Sequence, residues 1–145
     1  MADRPETILV PLDTSKLATV AVDYAAMLAE ATGARLILFT AIGGDELQAL
    51  KEFAAIERIS TDEAADAHLH RIAAGLEDRV TVDYHHGHSD NPAASIADYA
   101  NEHDISMIVM ASHGRSGAGR WLLGSVAHKV LGISPVPVTV VPVRS

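Results

Sequence analysis

Between Ala111 and Ser125 the sequence reads ASHGRSGAGRWLLGS, with glycines at 114, 117, 119 and 124 and arginines at 115 and 120. Residues without a Cβ let backbone N–H groups come close to a ligand. The loop runs into an apolar segment of helical character, and the first amides of a helix, with its dipole, favour an anion. Ser125 adds a hydroxyl at that point. These are the parts of a phosphate cradle. GRWLLGS, from Gly119 to Ser125, has the outline of G-x-x-x-x-G-[KST], but no lysine precedes the hydroxyl residue, and the next one downstream is Lys129. A motor-like or kinase-like hydrolytic site is therefore not expected.

Two other constellations compete for chemistry. His85, His86, Gly87 and His88 spell H-x-G-H, the pattern with which some enzymes stabilise phosphate charge during adenylyl transfer. Here it follows the third strand rather than the first, and no lysine-rich partner loop accompanies it. Together with Asp83 and Asp90 the same histidines offer zinc or nickel ligands, but the reading adopted is solvated loop histidines and no metal site. Ser112, His113 and Ser116 suggest a hydrolase, yet no G-x-S-x-G elbow is present. The absence of cysteine removes thiolate metal sites, disulfides and a thiol nucleophile.

The elements that must position these residues alternate. Thr7 to Leu12, Arg35 to Ile42, Arg79 to His85, Ser106 to Ala111 and Pro135 to Val143 read as strands, the last with prolines suited to a sheet edge. Helical segments separate them. Ala18 to Ala31 carries Val20, Tyr24, Met27 and Leu28 at helical spacing and closes at Gly33. Glu46 to Leu76 is interrupted at Ser60, where STDE is a capping box. A further helix follows Asn91 with Pro92 near its first position, and the last runs from about Gly124 to Leu131. Strands that are mostly continuous apolar runs, alternating with helices, predict a parallel sheet covered on both faces. At 145 residues a single domain, 1–145, is expected.

Charge narrows the partners. The formal net charge of −8 argues against nucleic acid. The segment from Ile105 to Ser145 nevertheless contains no Asp or Glu and carries Arg115, Arg120, Lys129 and Arg144, whereas the remainder balances at −12. An acid-free region around the glycine loop suits a small anion. The opening MADRPETILVPLD is unlike a secretory leader, and no run of about 18 apolar residues occurs, so a cytoplasmic protein with no membrane insertion is expected.

The pattern ASHG, nine residues, then GS resembles the universal stress protein signature G-x-x-G-(nine residues)-G-[ST], with Ala111 where the signature has its first glycine. The similarity extends to ILVPLDTS, to MIVMASHGRSG and to the closing valine-rich strand. It implies a five-stranded parallel sheet of order 3-2-1-4-5, a three-layer α/β sandwich with its winding reversal between strands one and four. It further implies that ATP, or another adenine nucleotide, binds at that reversal with Mg²⁺ bridging the phosphates, and is hydrolysed slowly or not at all. Adenine and ribose would meet Pro11, Leu12, Asp13, Ala41, Met110 and Ala111, with Asp13 accepting from a ribose hydroxyl or the adenine amino group. Phosphates would meet Gly114, Arg115, Gly124, Ser125 and Val126. Ser106, where an aspartate often precedes the strand, is read as structural, and a turn or helix cap is the competing role for Asp13. A regulatory, stress-response protein is implied, with a homodimer through strand 137–143 and a regulatory protein partner. A member acting only through protein contacts is the alternative, and adenylyl transfer at His85 to His88 the third.

Overall fold

The computed structural model describes residues 5–15, 18–112 and 123–143. Five parallel strands form one sheet: β1 (Thr7–Pro11), β2 (Arg35–Ile42), β3 (Val82–His88), β4 (Met107–Ala111) and β5 (Val138–Val141), in the order β3-β2-β1-β4-β5. Among the described residues five helices connect them: α1 (Thr19–Thr32), α2 (Gly44–Glu57), α3 (Thr61–Ala74), α4 (Pro92–Glu102) and α5 (Ser125–Ile133). The chain winds outward from β1 to β3, returns to β4 on the other side of β1, and ends at β5. The expected order and reversal are those of the molecule.

The central strand shows why the sheet is covered on both sides. Ile8, Leu9 and Val10 are all fully buried. Ile8 and Val10 pack with Ala21, Ala25 and Ala29 of α1 and Leu69 and Ala73 of α3. Leu9 points to the opposite layer, with Ile96 and Ala100 of α4 and Ala127 and Val130 of α5. Alternation along one strand thus feeds two cores, which is why β1 reads as an unbroken apolar run. A third, smaller cluster joins Ile42 to Leu50 and Ala54 of α2 and Ala64 and Ala65 of α3.

Local signals account for most boundaries. Gly33 closes α1 in the left-handed conformation, φ 78°, its amide donating to the Ala29 carbonyl. Ser60 and Glu63 form the reciprocal capping box that separates α3 from α2. Asn91 caps α4, with Pro92 in its first turn. Ser106 is structural, as expected: its hydroxyl oxygen accepts from the amides of Glu6, at 3.0 Å, and Thr7, at 3.2 Å, holding the start of β1 against β4.

Three expectations are corrected. The buried side of α1 consists of Ala21, Val22, Ala25, Ala26 and Ala29, while Tyr24 and Met27 are exposed. Strand β3 begins three residues later than Arg79 and runs past His85 through His88, so His86 and His88 are strand residues as well, not loop residues. Strand β5 is confined to Val138–Val141, flanked by Pro137 and Pro142, because a proline supplies no ladder donor.

Candidate functional site

The loop leaving β1 is fixed by its own backbone. Leu12 donates its amide to the Phe39 carbonyl at 2.8 Å, and its carbonyl accepts from the buried Thr40 hydroxyl at 3.0 Å. Both polar groups of Leu12 are therefore held by β2. One step on, the Asp13 carboxylate accepts from the amide of Ser15 at 2.9 Å and from its hydroxyl, an Asx-type turn that orients this acid. The turn role anticipated for Asp13 is thus realised at one of its oxygens. Thr14 donates its amide to Oε1 of Glu46 on α2 at 3.0 Å, and Glu46 is only 8% exposed.

Across the winding reversal, Ser112 gathers three segments. Its amide donates to the Val141 carbonyl at 2.8 Å, and its carbonyl accepts the Gly124 amide at 2.7 Å. The Ser112 hydroxyl oxygen accepts from Val143 at 3.0 Å. The end of β4, the end of β5 and the entry to α5 are tied together there, which gives Ser112 a structural role in place of the nucleophilic one considered for it. Gly124 is the N-cap residue of α5, with φ −62° and ψ 157°. That conformation is open to any residue, so positive φ is not what this glycine provides. Among the described residues α5 has no side-chain cap, and no acidic residue occupies its first turn. Helix amides left uncapped in this way favour an approaching anion.

Between these two structures lies a cleft of about 450 Å³, within the range of small-molecule sites. Pro11, Leu12, Asp13, Ala41, Met110, Ala111, Gly124, Ser125 and Val126 all line it. Nine residues singled out in the sequence, drawn from four separate segments, are thereby brought together. Gly114 and Arg115 lie outside the described residues, as do Gly117, Gly119 and Arg120.

The rest of the lining was not anticipated. Gly43, Gly44 and Asp45 follow β2, Asp90, Asn91 and Pro92 follow β3, and Phe39, Ile96, Lys129 and Glu46 add to the walls, with Ala18, Ala93 and Ala127 between them. Gly43 is needed by contact rather than by dihedral angle: a Cβ there would stand 1.8 Å from the Ser89 carbonyl oxygen. Phe39 packs on Tyr99, ring centroids 4.7 Å apart, and burial raises the Tyr99 phenol above the ordinary tyrosine value. Chemically the cleft is polarised. Asp13, Asp45, Glu46 and Asp90 border it where β1, β2 and β3 end, whereas the α5 entry supplies uncapped amides, Ser125 and, one turn further, Lys129. Its carboxylates suit hydroxyl or amino donors and its helix end suits an anion.

The histidines expected to compete with this site lie elsewhere. None of His85, His86 and His88 lines the cleft, and β3 is the sheet edge, separated from β1 by β2. Asp83 pairs with Arg35 at 3.8 Å, and Asp90 belongs to the cleft rim, so neither of these acids is the partner foreseen for the cluster. Among the described residues, no helix is long and apolar enough to cross a membrane.

Comparison with known proteins agrees with the architecture. The universal stress protein family model matches residues 5–142. Universal stress protein Rv2319c of Mycobacterium tuberculosis is 35% identical over 80 residues, which is 55% of this chain and 26% of that relative, so the match spans about a quarter of the relative's length. The hypothetical protein MJ0577 superimposes with a TM-score of 0.80 at 27% identity over 97% of both chains. A universal stress protein solved in complex with cAMP gives a TM-score of 0.67 at 25% identity, covering 98% of this chain and 100% of that one. With the fold, the reversal and the family match in agreement, the chain belongs to the universal stress protein family.

Proposed function

We propose that this protein binds an adenine nucleotide, ATP in particular, in the cleft at the β1/β4 reversal, and serves as a nucleotide-responsive regulatory protein in the cytoplasm. The observation that carries the reading is the polarised cleft. Apolar walls from Ala41, Met110 and Val126 accept a base, carboxylates at the strand ends accept ribose hydroxyls, and the entry of α5 receives phosphate. The related protein solved with cAMP supports the adenine class. Mg²⁺ fits the scheme through oxygen chemistry: such ions bind phosphate and carboxylate oxygens together, and Asp13, Asp45 and Asp90 border the same cleft as the α5 entry. Nothing in the described cleft is arranged as a nucleophile with an adjacent base, so hydrolysis is slow or absent in this reading.

Equilibrium dialysis with ATP and Mg²⁺ tests it. A single saturable site is expected, weakened about tenfold by Ser125→Ala, the cost of one hydrogen bond to a charged group, and weakened also by Gly124→Ala. Equal affinity in both variants and the parent overturns the assignment. Absence of any saturable binding, with no adenine nucleotide released when the purified protein is denatured, selects the alternative of a family member acting through protein contacts alone.

A homodimer through strand 137–143 accompanies this proposal. β5 is a sheet edge whose Val138 to Val141 are only half-buried, and edge strands offer unpaired backbone groups to a second copy. Sedimentation is expected to show a dimer at micromolar concentration, and a monomer throughout removes the claim.

A further inference from the structure

Along the edge of the sheet, β3 and α3 are joined by a ladder of polar side chains. Tyr84 Oη lies 3.3 Å from His70 Nδ1, His86 Nδ1 lies 2.6 Å from Asp66 Oδ1, and His88 Nε2 lies 2.7 Å from Asp62 Oδ1. Each step of two residues on the strand meets a step of four on the helix. The spacings allow it, since two strand residues advance about 6.6 Å and four helical residues about 6 Å.

The geometry points to a binding site for a divalent transition-metal ion of the zinc and nickel class, formed by Asp62, His86 and His88, with Asp66 as the outer partner that orients His86. The three ligand atoms lie within 4.8 Å of one another. A carboxylate only accepts, so His86 donates from Nδ1 to Asp66, and the neutral ring then carries its lone pair on Nε2. That nitrogen sits 3.7 Å from Asp62 Oδ2. The separation is too long for a hydrogen bond. It is close to the roughly 3.3 Å that separates two ligands, each about 2 Å from a tetrahedral ion. An imidazole held by a carboxylate through its other nitrogen is the usual second-shell arrangement at such metals. Capture by His88 requires its Nε2 proton to leave, either to the exposed Nδ1 of the same ring or to solvent, and the ion then takes the place of that proton between His88 and Asp62. Two imidazoles with one carboxylate select zinc, nickel or copper over magnesium and calcium, and three protein ligands leave a position for water. His86 is 20% exposed and His88 56%, so an ion reaches the site from solvent. Occupancy ties the edge strand to the first turn of α3, one residue before the Ser89–Asp90 segment that contacts Gly43 at the cleft rim.

Titration calorimetry of the full chain with zinc chloride, in the absence of nucleotide, tests the site. One equivalent is expected to bind, with binding lost in His86→Gln and in His88→Gln, strongly weakened in Asp62→Asn and weakened at least about tenfold in Asp66→Asn. His103→Gln, on the exposed end of α4, is expected to bind as the parent does. Imidazole ¹⁵N resonances of His86 and His88 in the parent protein are expected to shift on zinc addition, a readout independent of any variant's folding. Undiminished binding in the His86 and His88 variants, unshifted resonances at both rings, or no saturable binding overturns the proposal, the first of these meaning an adventitious ion only.

Discussion

The Glu46 carboxylate receives the backbone amide of Thr14 at 3.0 Å, so a nearly buried acid of α2 fixes the loop that leaves β1. The contact links residues 32 positions apart and sets the position of Asp13 on the cleft.

Replacing Glu46 with Ala leaves that amide without its acceptor in a partly buried place, at a cost of about 1 to 3 kcal/mol. Urea denaturation is expected to show a lowered midpoint, and nucleotide affinity is expected to fall with it. Glu46→Gln keeps an oxygen acceptor and recovers most of both.

Two glycines predict opposite outcomes. Gly43→Ala pushes a methyl group into the Ser89 carbonyl and is expected to destabilise by about 1 to 3 kcal/mol, the range for overpacking. Gly132→Ala meets nothing within 4 Å inside α5 and is expected to stabilise by about 0.5 to 1 kcal/mol. Thermal denaturation of the pair, side by side, checks the sign of each.

Ala111→Gly removes the methyl group by which this chain departs from the family signature. The residue lines the cleft at the end of β4, so calorimetry is expected to show tighter adenine-nucleotide binding. A small loss of stability accompanies it, from a glycine placed in a strand.

Burial raises the Tyr99 phenol above its ordinary value of 10.0. Folding therefore favours the protonated form, and stability is unchanged below that value and falls as pH rises through it toward the folded-state value. The alkaline decline is expected to be smaller in Tyr99→Phe, as followed by circular dichroism across that range.

Sequence and structure agree where the information is local or doubly buried. Ile8, Leu9 and Val10 announce a central strand because both faces are covered, and Ser60 with Glu63 announces a helix start because the capping partners are three residues apart. The face of α1 was hidden because alanine carries little hydropathic contrast, so Tyr24 and Met27 drew attention to the wrong side. The end of β3 was obscured by the exposure of an edge strand, where histidines replace valines. At the cleft, the residues after β1 and β4 were legible from turn chemistry and family resemblance. The contact of Gly43 with Ser89 depends on the parallel register of β2 and β3, which places Ile42 beside His88; a glycine pair just past the second strand was the available hint. The partners of His86 and His88 were invisible for the same reason, since Asp62 and Asp66 come from a helix whose face is chosen only by packing.

Alanines at 21, 25 and 29 of α1 rest on the sheet with single methyl groups. Little compressible padding therefore separates that helix from the strands beneath it. A larger side chain at fully buried Ala25 is expected to act as a shim, lifting α1 and, with it, Ala18 at the cleft wall. The width of the cleft is thus open to influence from a position that does not line it.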